Sequence, residues 1–250
     1  MIILFVLLGF LAGALVNQLG SDLPARRELT RPHCPYCGRE RPTWQWVTWP
    51  AFLLGQAKCP SCGAPIRMRY PLVEIGLAAM YAYLWIILGP ALTIKLLVYL
   101  VYSAIFALIL VTDMERRLIL NVVTYPSMLL ALVASFVIPD ITWWSALLGG
   151  AIGFLFFLIA AVVGNRVFGS GAMGGGDVKL AAFVGLITGF PLIIETLVLT
   201  IIAGAVISFV LLITGLRKRH NYIPYGPFLV IGAVITLLKG YPIAEWFLSL

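Results

Sequence analysis

Eight long apolar segments set the limits on what this chain can become. They run approximately over residues 2–19, 72–88, 91–112, 122–138, 143–163, 178–190, 192–216 and 224–238, in a chain of 250 residues that is 62% hydrophobic and only 11% charged. A bilayer span needs roughly 20 apolar residues, and backbone groups in lipid must be satisfied internally. The pattern therefore predicts an all-α polytopic membrane protein of about eight transmembrane helices. The sixth and eighth segments are short, as tilted or incomplete spans would be. The first lacks the basic n-region of a signal peptide and a clear small-residue cleavage site, so it reads as a retained helix.

Charge sets the orientation. Arg26, Arg27, Arg31, Arg39, Arg41, Lys58, Arg67 and Arg69 lie in the loop 20–71. Arg116, Arg117, Arg166, Lys179 and the run Arg217-Lys218-Arg219 follow in later turns. With eight spans these fall on one side and leave Lys95 and Lys239 for the other. Positive residues mark the cytoplasmic face, so both termini are expected outside and the loop inside. The net charge of +7 then expresses topology. It forms no continuous basic stripe, and no nucleic-acid partner is expected.

The loop divides the chain into a first helix (1–19), a small cytosolic domain (20–71) and a membrane domain (72–250). It holds all four cysteines as Cys34-Pro35-Tyr36-Cys37-Gly38 and Cys59-Pro60-Ser61-Cys62-Gly63, with 21 residues between the pairs. Each CxxC turn brings two thiolates to one face, and two turns complete a closed structural zinc tetrahedron. Disulfides are the alternative, disfavoured on a cytosolic face. A redox CxxC is another, disfavoured by the duplication. His33 and His220 read as plain loop residues. Trp44, Trp46 and Trp49 can pack on the metal module or dip into the membrane interface, and the sequence leaves both open. Glu74 reads as a first-turn acid complementing its own helix N-terminus, with a functional role left open as the alternative.

Two carboxylates stand apart from the rest. Asp177 ends the run Gly174-Gly175-Gly176 as an apolar segment begins, and Asp113 ends the third segment. Two spans separate them, so both belong at the cytoplasmic membrane face. Ionisable residues at such positions are functional candidates. Singly, each has a plain reading: a solvated turn residue for Asp177, an ion pair with Arg116 or Arg117 for Asp113. As a pair they suit peptide hydrolysis, one accepting a proton from water while the other polarises the scissile carbonyl. An ion-coupled transporter uses membrane carboxylates too, and the residues alone leave these two classes level.

Gly174-x-Gly176-Asp177 resembles the GxGD pattern of intramembrane aspartyl proteases. Asp113 with Arg117-x-Ile119-x-Asn121, the paired CPxCG knuckles, Arg69-Tyr70-Pro71-Leu72-Val73-Glu74 and Ile223-Pro224-Tyr225-Gly226-Pro227-Phe228 resemble, in order, the bacterial type IV prepilin peptidases. Leu120 stands where that family usually has proline, Asp22 where arginine is common, and the middle of the cysteine loop lacks the usual Asn-x-Pro character. The resemblance implies Asp113 and Asp177 as the catalytic dyad, Gly174 and Gly176 as its support, and zinc on Cys34, Cys37, Cys59 and Cys62. It implies removal of a short basic leader from prepilins or pseudopilins of type IV pili or type II secretion at the bacterial inner membrane. N-methylation of the new terminus by S-adenosylmethionine is implied as a second activity.

Overall fold

In the computed structural model, residues 1–25, 29–89, 92–168, 174–214 and 225–248 are described. The expected positions Arg26, Arg27, Arg217-Lys218-Arg219, His220, Ile223 and Pro224 lie outside them. The chain divides into two compact units, Met1–Thr112 and Asp113–Leu250.

The elements are α1 (Ile2–Asp22), the short α2 (Trp49–Leu53), α3 (Arg69–Leu88), α4 (Ile94–Arg116), α5 (Asn121–Ala134), α6 (Trp143–Phe168), α7 (Gly175–Thr188), α8 (Leu192–Ile213) and α9 (Gly226–Leu248). Each expected span corresponds to one helix. Among the described residues, five helices are long and apolar enough to cross a membrane, and α5 and the Gly226–Gly240 part of α9 are shorter apolar helices. At 1.5 Å per residue, the 14 residues of α7 reach only about 21 Å, short of a 30 Å hydrocarbon core.

In the first unit α1 and α3 pack antiparallel with a clear register. A Cβ at Gly9 would stand 2.5 Å from the Ala78 Cα, and one at Gly13 would stand 2.5 Å from the Glu74 Cα. Asn17 donates its amide to the Tyr70 carbonyl at 2.9 Å. The Gly9-x-x-x-Gly13 spacing puts both small residues on one helix face. Lipid offers no hydrophobic drive between helices, so such close approach is what holds them.

The second unit is built around α7, which touches α5, α6, α8 and α9. Leu180, Ala181, Phe183 and Val184 are fully buried. Gly149 and Gly153 of α6 receive α7 at Gly185 and Ala181 with no room for side chains. A helix surrounded by other helices need not match the bilayer thickness, which accounts for its shortness.

Candidate active site and metal centre

Asp113 lies in the last turn of α4, and that helix stops at once. Arg117 takes φ +55°, and its N–H donates to the Asp113 carbonyl at 2.8 Å, turning the chain toward α5. Leu120 then precedes α5 in an extended conformation with φ −76°. A proline would impose nearly that angle, so leucine preserves the turn. Asp177 lies in the first turn of α7, at the positive end of its helix dipole. Both side chains are about 4% exposed.

Residues from the two stretches meet directly. A Cβ on Gly176 would stand 3.0 Å from the Ile119 Cβ, and the Lys179 ammonium donates to Asn121 Oδ1 at 2.9 Å. Lys179 also lies over the Tyr125 ring. The start of α9 links the carboxylates from a third direction. Gly226 is placed so that a Cβ would strike Asp113 Oδ2, and the Tyr225 hydroxyl is within electrostatic range of Asp177. Asp113 Oδ2 is buried with no hydrogen-bond partner among the described residues, although the Gly226 N–H and the Arg117 charge act on the carboxylate. A buried polar atom left without a partner is costly and marks a place where water or substrate can engage it.

The glycine run is less uniform than its sequence. Gly176 faces Ile119, Gly175 faces open space, and none of the three adopts positive φ. Close approach at Gly176, and not backbone freedom, is the steric constraint. Gly174 accepts the Asp177 N–H through its carbonyl at 3.2 Å, and nothing in the structure explains why it must be glycine.

In the first unit the four cysteines converge. Their Sγ atoms lie within 4.8 Å of one another, with Cys34–Cys62 at 3.7 Å and Cys37–Cys59 at 3.8 Å. A tetrahedron with Zn–S bonds of about 2.3 Å has edges of about 3.8 Å. Both separations far exceed a disulfide bond. The two knuckles are built alike. Cys34 N–H donates to the Arg39 carbonyl and Gly38 N–H to that of Cys34, while Cys59 N–H donates to Ala64 and Gly63 N–H to Cys59, all at 2.8–2.9 Å. Gly38 and Gly63 take φ +71° and +70°, which these turns require. The N–H of Cys62, then that of Ser61, lowers the Cys59 thiol to about 6, whereas against the Ala64 N–H burial and the neighbouring thiols push that of Cys62 up to about 12, so the cluster favours sharing its protons unevenly.

Glu74 departs from the sequence expectation. It lies beyond the first turn of α3, is fully buried, and serves a different helix. Its carboxylate accepts the backbone N–H of Thr48 at 2.8 Å and of Trp49 at 2.9 Å, and the Thr48 hydroxyl at 2.8 Å. Trp46 donates its indole N–H to the Arg41 carbonyl, whereas Trp49 stacks on Phe10 of α1 at 4.9 Å. Asp22 gathers Gln18 and Thr30 around its Oδ2, a local anchor for the exit from α1.

Residues 100–209 match the Type IV leader peptidase family, and residues 7–88 match the bacterial peptidase A24 N-terminal domain. The chain belongs to the type IV leader peptidase family. Relatives extend over nearly its full length. A "Prepilin leader peptidase/N-methyltransferase" of Bacillus subtilis (strain 168) is 27% identical over 99% of this chain and 98% of its own. A protein of the same name from Pseudomonas aeruginosa is 28% identical over 98% of this chain and 92% of its own. Another, from Myxococcus xanthus, is 30% identical over 85% of this chain and 63% of its own. No solved structure gives a significant match. The type IV leader peptidase family match covers Asp113, Gly174, Gly176 and Asp177, and the N-terminal match covers all four cysteines. Tyr225 and Gly226 lie beyond both. Their place beside the carboxylates emerges only in three dimensions, and the one sequence signal for them was the Tyr225-Gly226-Pro227-Phe228 stretch.

Proposed function

We propose that this leader peptidase removes the short basic leader of type IV prepilins or pseudopilins at the cytoplasmic face of the inner membrane, with Asp113 and Asp177 as the reacting pair. The carrying observation is that α4, α7 and the start of α9 converge on two nearly buried carboxylates. One carboxylate takes a proton from the attacking water while the other, protonated, donates to the scissile carbonyl. The unpartnered Asp113 Oδ2 suits the group that donates to substrate. Gly176 supports the site by letting the turn at Ile119 close against α7.

The relatives' names join cleavage to N-methylation, and we extend that second activity to this chain. S-adenosylmethionine would supply the methyl group to the newly exposed amine. Cys34, Cys37, Cys59 and Cys62 would hold zinc in a closed four-thiolate site, which leaves no position for substrate and acts through folding. The cysteine loop is assigned to the cytosol and both termini to the outer side.

Purified full-length protein in nanodiscs, incubated with a short-leader prepilin and S-adenosylmethionine, tests the reading by intact-mass measurement. The expected product has lost its leader and gained one methyl group. Intact prepilin at long times would overturn the peptidase assignment. A cleaved but unmethylated product would overturn only the second activity.

A further inference from the structure

The register between α1 and α3 serves as a depth scale. Asn17 beside Tyr70 marks its polar end, Gly13 beside Glu74 the middle, and Gly9 beside Ala78 the deeper part. Polar groups cluster at the first rung, where Arg69 also donates to Ser21 Oγ at 2.8 Å. The segment after the first cysteine knuckle meets this scale in order. Arg41 places its guanidinium over the Tyr70 ring, 4.6 Å from its centre. Thr48 and Trp49 then bind Glu74, five residues or about 7.5 Å into α3. The Trp49 ring stacks on Phe10, eight residues or about 12 Å inward from Gln18. The chain therefore descends along two membrane helices, from their polar end toward the interior.

Several backbone donors of this segment find acceptors within the protein, as groups placed in lipid must. Glu74 accepts both N–H groups at the start of α2, donors that water would otherwise serve. Gly55 turns the chain with φ +67°, while Leu54 N–H donates to the Pro50 carbonyl and Gln56 N–H to that of Ala51. Gln45, about 1% exposed, donates to the carbonyls of Gln56 and Lys58 and so ties the returning limb to the descending one. At the tip Leu53 and Leu54 are 77% and 68% exposed. On α1, Leu7 and Leu11 are similarly exposed on either side of Phe10, as lipid-facing residues are.

We propose that residues 48–54 form a re-entrant element that enters the bilayer beside α1 and α3, with Leu53 and Leu54 among the acyl chains of that leaflet. The inference rests on α1 and α3 crossing the membrane and is independent of the peptidase reading. The cysteine knuckles close the neck of this loop, since Arg41 follows the first and Lys58 opens the second.

The test places a small fluorescent amino acid at Leu53 in the full-length protein and reconstitutes it in nanodiscs. Nitroxide lipids labelled at the headgroup or along the acyl chain are compared with aqueous iodide as quenchers. Acyl-chain nitroxide should quench several-fold more than headgroup nitroxide, and iodide should have almost no effect. The same probe at Tyr36, on the first knuckle, should show the reverse. Iodide quenching at position 53 equal to that at 36 would overturn the proposal. Protection from both iodide and lipid nitroxides would overturn it too, because protein would then cover the leucines. Hydrogen exchange on the unmodified protein gives an independent reading. Amides of residues 49–56 should exchange as slowly as those of α1, and exchange as fast as the knuckle tips would equally overturn it.

Discussion

A side chain on Gly226 would have to displace the Asp113 carboxylate, which occupies the space its Cβ would need. Gly226→Ala should push that carboxylate from its position while adding a single methyl group. A displacement of about 1 Å at a reacting group can cost about 100-fold in rate. The expected result is a fall of that order in kcat for prepilin cleavage with unchanged helicity by circular dichroism. Gly175→Ala, whose Cβ would meet nothing within 4 Å, should stay within about twofold of wild type. Equal rates for Gly226→Ala and wild type would remove the start of α9 from the site.

Asp113→Asn and Asp177→Asn each remove a group able to take and return a proton. Loss of general acid–base chemistry costs about 10²–10⁴-fold, and residues acting as a unit lose activity non-additively. Each single variant should therefore be nearly inactive, and the double variant no worse than either. Cleavage rates on purified, membrane-inserted protein decide this. A single variant with near-normal turnover would exclude that residue from the chemistry.

The helices were legible because lipid imposes one rule on every span. Residue 143 opens both the expected fifth segment and α6, and the expected second segment ends at Leu88 as α3 does. The cysteine cluster was legible because its geometry is local, with two near-identical turns each fixed by its own glycine. Glu74 was read wrongly for the opposite reason. Its partners lie 25 and 26 residues away, and position along a helix says nothing about which chain will arrive beside it. Gly176 was singled out from its motif alone, and the approach of Ile119, which leaves little room for a side chain, could not be read from the sequence.

Glu74→Ala leaves the N–H groups of Thr48 and Trp49 buried without an acceptor. Each such loss costs about 1–3 kcal/mol. The expected outcome is a lowered thermal midpoint and faster hydrogen exchange across residues 48–54. Thr48→Val removes only the hydroxyl bond and should have the smaller effect on both. Unchanged exchange in Glu74→Ala would show that the segment is held without Glu74, by Trp49 stacking on Phe10 and the Gln45 bonds to the returning limb.

Removing the metal should separate the cysteine module from the chemistry of the aspartates. The thiolates belong to the first compact unit and both aspartates to the second. A closed four-thiolate site contributes folding free energy and no reacting water. Cys59→Ser should lose bound zinc, measured by elemental mass spectrometry, and loosen the neck between Arg41 and Lys58. A fluorescent probe at Leu53 in that background should gain access to iodide. Processing of full-length prepilin should weaken, and methylation should fall further, while cleavage remains well above that of Asp177→Asn. Wild-type protein without metal, or a Cys59→Ser variant that keeps it, would end the structural-zinc assignment. A variant that loses zinc and is as inactive as Asp177→Asn would instead make the cysteine loop part of the peptidase site itself.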